Sequence, residues 1–194
     1  MNIRFVAFTF VSLLGMPAQA ASPDNSCDPS AVAARQEKAA KGDAHVQYSL
    51  GTQLQMGACG VHDPKQAGEL LEKSAAQNFP PAVHMLGVIL RRDGKDSEAI
   101  KYFEKSADLG FQLGFADMAF TYGQGDSPIR NAGLSYAWFT VAIARESKEQ
   151  PKQYLESMRG KIEKALSDSE LAKAKAIAAD LNNKYSKTPV WSDQ

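Results

Sequence analysis

Two short segments of the chain recur, and their spacing limits the fold more than any single motif. Leu50-Gly51-Thr52-Gln53-Leu54 returns as Leu86-Gly87-Val88-Ile89-Leu90 after 36 residues, and Leu86-Gly87 returns as Met118-Ala119 after 32. A second series, Leu70-Leu71-Glu72-Lys73-Ser74-Ala75, returns as Tyr102-Phe103-Glu104-Lys105-Ser106-Ala107 after 32. It returns again as Trp138-Phe139-Thr140-Val141-Ala142-Ile143 after 36. The two series switch spacing in opposite order. That places a four-residue shortening in one loop, Asp93-Gly94-Lys95-Asp96, inside the middle repeat. A period of this size means stacked units, each too small to bury its apolar face alone.

Apolar residues stand three and four apart in every segment, the spacing of one helical face. Each unit therefore reads as a pair of helices. A small residue (Gly51, Gly87 or Ala119) sits at the same place in each first helix. An interior Gly costs a helix about 1 kcal/mol against Ala, so its return signals a partner helix packed close to the backbone. Gly57, Gly60, Gly94, Gly123 and Gly125 punctuate the loops between helices. Gly110 ends a second helix, where a left-handed cap is expected. Beyond residue 145, Pro151 fits the first position of a helix running to about Leu166. Ser167-Asp168-Ser169-Glu170 is a capping box opening another helix through Leu171, Ala174, Ile177 and Leu181. Residues 187–194 read as a loose tail, with Trp191 placed to fold back onto that cap.

Gly42-Asp43-Ala44-His45-Val46-Gln47-Tyr48-Ser49-Leu50-Gly51, followed by Gly57 and Gly60-Val61, resembles the opening of a Sel-1-like repeat. That family is related to the tetratricopeptide repeats and has a longer inter-helix loop. Lys73-Ser74-Ala75 and Lys105-Ser106-Ala107 resemble its Lys-Ala-Ala ending, and Tyr136-Ala137-Trp138-Phe139 resembles the aromatic second helix of a last repeat. Two departures stand out: Pro80-Pro81 replaces the usual small residues, and Gly57-Ala58-Cys59-Gly60 carries an extra residue. The resemblance implies an all-α fold, an α–α solenoid of tetratricopeptide-like helix pairs with a C-terminal helical cap. Its three repeats span residues 42–145. Residues 21–41 hold an N-terminal segment and a half-repeat helix from residue 29, residues 146–186 form the cap, and residues 187–194 the tail.

The first twenty residues read as an address. Arg4 supplies one positive charge, residues 5–16 are uncharged and mostly apolar, and Pro17-Ala18-Gln19-Ala20 ends in A-x-A before Ala21. This is the layout of a signal peptide cleaved after Ala20, so the chain is expected to be exported, into the periplasm if the organism is Gram-negative. The apolar run is shorter than the roughly 20 residues a bilayer span needs, and stable membrane insertion is not expected. Export permits disulfides, and Cys27 and Cys59 are one even pair. In stacks of this kind Cys27 precedes one second helix and Cys59 the next. Neighbouring second helices run parallel, which puts both at one edge. Their bridge would close a loop of about 30 residues and add roughly 3 kcal/mol.

Twenty-two basic residues balance 22 acidic ones. Loss of residues 1–20 removes one base and turns the net charge from zero to −1, so no basic excess exists for nucleic acid. Gly133-Leu134-Ser135-Tyr136-Ala137 lacks the final Gly of a nucleophile elbow, and Gly94-Lys95 continues into Asp96 rather than a phosphate-binding Ser or Thr. His45 and His84 lie on first helices and His62 in a loop. They read as surface histidines on a groove, without a third metal ligand nearby. No catalytic residue, metal or cofactor is implied, and the chain is read as not an enzyme.

What remains is the concave face, lined in such stacks by the first helices. Its positions here are Tyr48, Thr52, Gln55 and Met56, then His84, Val88, Arg91 and Arg92, then Ala116, Phe120, Gly123 and Gln124, with His45 and Leu113 one turn away. Aromatic and apolar residues beside an arginine pair suit a protein or peptide partner, although Arg91-Arg92 also reads as a solvated helix end. The expected function is an exported, non-catalytic protein–protein interaction module of adaptor or inhibitor type. The resemblance implies two alternatives. One is a periplasmic immunity protein against a phospholipase delivered by type VI secretion. The other is a weak β-lactam-binding or hydrolysing enzyme, whose relatives carry a Cys pair in nearly every repeat rather than one in all.

Overall fold

The computed structural model describes residues 27–192, and over that span the periodic segments form helices. They are α1 (Pro29–Ala40), α2 (Ala44–Met56), α3 (Pro64–Ala76), α4 (Pro80–Arg92), α5 (Asp96–Asp108), α6 (Leu113–Gly123), α7 (Ala132–Arg145), α8 (Glu149–Glu163) and α9 (Asp168–Tyr185). Among the described residues there is no strand. The signal-peptide reading of residues 1–20 lies outside the described residues. Local chemistry sets many helix starts: Asp28, Asp43, Asp63 and Asn131 each accept a backbone N–H bond from the first turn that follows. Ser167 and Glu170 close a complete capping box at α9. Gly110 takes φ +88°, the left-handed turn expected after α5. Pro151 falls inside α8, which starts two residues earlier, at Glu149.

The helices pack as consecutive pairs, α2 on α3, α4 on α5 and α6 on α7, and the pairs stack into an all-α solenoid. The recurring small residue explains each pair. A Cβ on Gly51 would lie 3.0 Å from Leu71 Cγ, and one on Gly87 only 2.7 Å from Phe103 Cε1. At the third position Ala119 is fully buried, and its carbonyl accepts from Ser135 Oγ at 2.8 Å. Phe103, Phe115, Met118, Phe139 and Val141 build the largest core, which runs from α5 through α7 to Tyr185 of α9. Smaller cores join α1 to α2 and α3, and the first helix pair to the second.

Two outer segments complete the stack. Cys27 and Cys59 are disulfide-bonded, with Cα atoms 5.3 Å apart, and tie the start of α1 to the short 3-10 turn at Ala58–Gly60. The extra residue of that turn is accommodated with Cys59 at φ +58°. At the other end α9 packs along α7, and the chain after it turns back. Trp191 does not lie on the cap. It packs between Phe79 and Phe111, in the turns that precede α4 and α6.

Candidate interaction groove

The first helices α2, α4 and α6 are followed by α8, which rests on α7 and scarcely meets α6. A groove opens between α6 and α8. Its larger hollow, about 460 Å³, is lined by Arg91, Phe120, Gly123, Gln124, Ser135, Phe139, Met158 and Ile162. A smaller one of about 190 Å³ lies beside Leu113, Ala116, Tyr154 and Leu155, and Phe120 borders both. Phe120 stands edge-on to Phe139 (ring centroids 5.0 Å, 90°), which lines the larger hollow, and faces Tyr154, which lines the smaller, at 6.1 Å. Met158 and Ile162 stand one turn apart on the same face of α8, which makes the far wall apolar.

One charged cluster braces the near wall. Asp117 of α6 bonds His84 Nε2 through one oxygen and Arg91 Nη1 through the other, each at 2.5 Å. Burial pushes the Asp117 carboxyl up, but the His84 ring and the Arg91 guanidinium outweigh it and hold the carboxyl below its ordinary range. The Arg91 guanidinium also lies over the Phe103 ring, 5.3 Å from its centroid. Arg91 is therefore held in place while it lines the larger hollow. A guanidinium has five N–H donors in a rigid fork, so one carboxylate does not exhaust it.

The expected concave strip divides in the structure. Arg91, Phe120, Gly123 and Gln124 come together at the larger hollow, and Leu113 and Ala116 at the smaller. His45 and Tyr48 instead pack on Phe79, with ring centroids 5.8 and 5.5 Å away. Thr52, Gln55 and Val88 are half-buried, and Met56 is 71% exposed at the end of α2. Arg92 pairs with Asp93 at 3.4 Å. His84 is a correction. It is 8% exposed, sealed between Asp117 and the rings of Phe103 and Phe111, not a surface histidine.

Asp117 and the α8 wall are absent from the sequence-based strip. Asp117 is the single charged residue of α6, Leu-Gly-Phe-Ala-Asp-Met-Ala-Phe-Thr-Tyr-Gly, and a lone charge in an apolar helix signals a buried partner. Leu155, Met158 and Ile162 carry the three-and-four spacing of a covered face, which reads as a cap until α8 is seen to stand off from α6. A further hollow of about 360 Å³ lies beside the disulfide between α1 and α2. Among the described residues no group of three or more His, Cys, Asp or Glu is placed to hold a metal ion, and no helix is long and apolar enough to cross a membrane.

The family model of the Sel1 repeat matches three consecutive stretches, residues 44–79, 82–111 and 111–147. A crystal structure of a Sel1 repeat protein from Oxalobacter formigenes superposes with a TM-score of 0.53 at 23% identity. It covers 69% of this chain and 98% of its own. That likeness is one of fold. The structure of c5321, a protective antigen of uropathogenic Escherichia coli with an SLR fold, matches at a TM-score of 0.41 and 20% identity, over 84% of this chain and 44% of its own. No curated protein matches the chain.

Proposed function

Because the chain belongs to the Sel1 repeat family, whose repeats generally mediate protein–protein interaction, we propose that it is a non-catalytic binding module of adaptor or inhibitor type. The observation that carries this reading is the open groove between α6 and α8, with Phe120 and Tyr154 across its middle and Arg91 and Gln124 at one side. Aromatic residues and Arg dominate the energetics of protein interfaces, where a few anchors in pockets supply most of the affinity. Tyr154 is 58% exposed, so the ring has apolar area left for a partner to cover. Bracing by Asp117 and Phe103 removes rotamer freedom from Arg91 before binding, which lowers the ordering cost of using it.

Within this reading the protein works in an oxidising compartment outside the cytoplasm, in the periplasm if its source is Gram-negative. The Cys27–Cys59 bridge and the signal-like first twenty residues support that placement. The partner is a protein or peptide rather than nucleic acid, in keeping with 22 basic and 22 acidic residues.

Affinity purification from the native host tests the proposal with two variants. Tyr154→Ala with Gln124→Ala alters the groove, and Glu72→Ala with Lys101→Ala alters exposed positions on α3 and α5. All four residues are exposed, so both variants are expected to melt as the wild type does. A partner retained by the wild type and the α3/α5 variant but lost by the groove variant supports the reading. Equal retention by all three overturns it.

A further inference from the structure

Phe79 and Phe111 stand 32 residues apart, at matching places in successive repeats, each in the turn that leads into a first helix. Both are half-buried, and the gap between them is filled by Trp191. Its ring meets Phe79 edge-on (centroids 5.7 Å, 89°) and Phe111 at 5.5 Å and 69°. The Trp191 backbone N–H donates to the Gly110 carbonyl oxygen at 3.0 Å. Gly110 lies so close to the tail that a Cβ there would collide with Pro189 O.

The tail is held in two different ways. Up to Thr188 it is clamped: Arg145 Nη1 donates to Tyr185 O and Nη2 to Thr188 O, both at 2.7 Å. Past Thr188 the engagement thins. Pro189 and Ser192 are exposed, Val190 is 57% exposed, and the Trp191 ring together with the Trp191 backbone N–H seats the segment. An anchor of one side chain and one backbone bond belongs to the low-stability end of a fold, where local opening is frequent.

We propose that the cleft between Phe79 and Phe111 is a peptide-binding site which the chain's own tail keeps filled. It exchanges Trp191 for the tryptophan of an extended Pro-x-Trp segment presented by a partner protein. The occupant seen in the cleft defines the chemistry the cleft accepts. Pro189 presets an extended backbone, one main-chain bond fixes the register, and one large ring fills an aromatic slot. This combination of main-chain bonding and a side-chain pocket is how extended peptides are commonly read. A tethered tail competes at an effective concentration in the millimolar range, so a partner segment with further contacts can displace it. The cleft shares none of the residues lining the α6–α8 groove, and its failure would leave that reading untouched.

A labelled peptide Lys-Thr-Pro-Val-Trp-Ser, copying residues 187–192, is titrated into the full-length wild type and the full-length Trp191→Ala variant. The variant is expected to bind the peptide about tenfold or more tightly than the wild type, because its tail has lost the competing anchor. The same peptide with Ala for Trp is expected not to bind. No binding to the variant, or equal binding to both proteins, overturns the proposal. Hydrogen exchange on the unaltered wild type gives an independent readout: excess peptide should speed exchange at the Trp191 N–H and leave the α7 amides unchanged. An unchanged Trp191 rate overturns the proposal. So does a wild-type dimer held by exchanged tails, which would assign the cleft to a second copy of the chain.

Discussion

Asp117 is the charge on which two neighbouring helices meet, since its carboxylate takes His84 and Arg91 of α4 together. Its carboxyl is held below the ordinary range in the folded chain, while in the unfolded chain it returns to the ordinary aspartate value of about 3.8. The ionised form therefore contributes stability that is fully present above that unfolded value and is lost as pH falls through the folded one. Urea denaturation from pH 7 downward should show a loss below about pH 4 that is smaller in Asp117→Asn. At pH 7 that variant should be less stable by about 2 kcal/mol, as for a lost hydrogen bond to a charged group. The glycines give a sharper contrast. Gly87→Ala would press a Cβ against the fully buried Phe103 ring and should cost about 1–3 kcal/mol by overpacking. Gly68→Ala, in α3 with nothing within 4 Å, should gain about 0.5–1 kcal/mol from helix propensity. Both are read from denaturant midpoints. The role of Gly87 was legible in the sequence because a costly residue returned at the repeat period. The burial of His84 was not, because Asp117 comes from the next repeat and Phe111 from the turn that leads into it.

At the scale of elements, the ends of the stack depend on different devices. α1 has one fully covered apolar residue, Ala39, together with side-chain bonds from Arg35 to Gln53 and from Gln47 to the Ala39 carbonyl. The Cys27–Cys59 bridge makes up for that thin packing by closing a loop of 32 residues. Cys27→Ser with Cys59→Ser should lower stability by about 3 kcal/mol. Hydrogen exchange should then quicken in α1 far more than in α7, whose Trp138, Phe139 and Val141 belong to the main core. The helix pairs, the α9 capping box and the cysteine pairing could be read in advance, since each rests on neighbours in sequence or on the repeat itself. The standing-off of α8 could not. Its apolar face suits a covered cap and a groove wall equally well, and the space between α6 and α8 is decided by how both seat on α7.

Taken as a whole, the molecule presents two separate surfaces on one solenoid: the α6–α8 groove and the Phe79–Phe111 cleft. His84 stands between them, touching the Phe111 ring on one side and the Asp117 that braces Arg91 on the other. The stack is legible from its period, whereas the groove arises only where the period ends, which is why the concave strip extrapolated from one repeat to the next placed some of its residues elsewhere. On the reading proposed above, this groove is where a partner protein docks. Site-specific photo-crosslinking in the producing cell tests it directly, with a benzoylphenylalanine placed in turn at positions 124, 154, 72 and 101. A discrete protein adduct is expected from positions 124 and 154, at the groove, and none from positions 72 and 101 on α3 and α5. Adducts from positions 72 or 101, with none from positions 124 and 154, would contradict it.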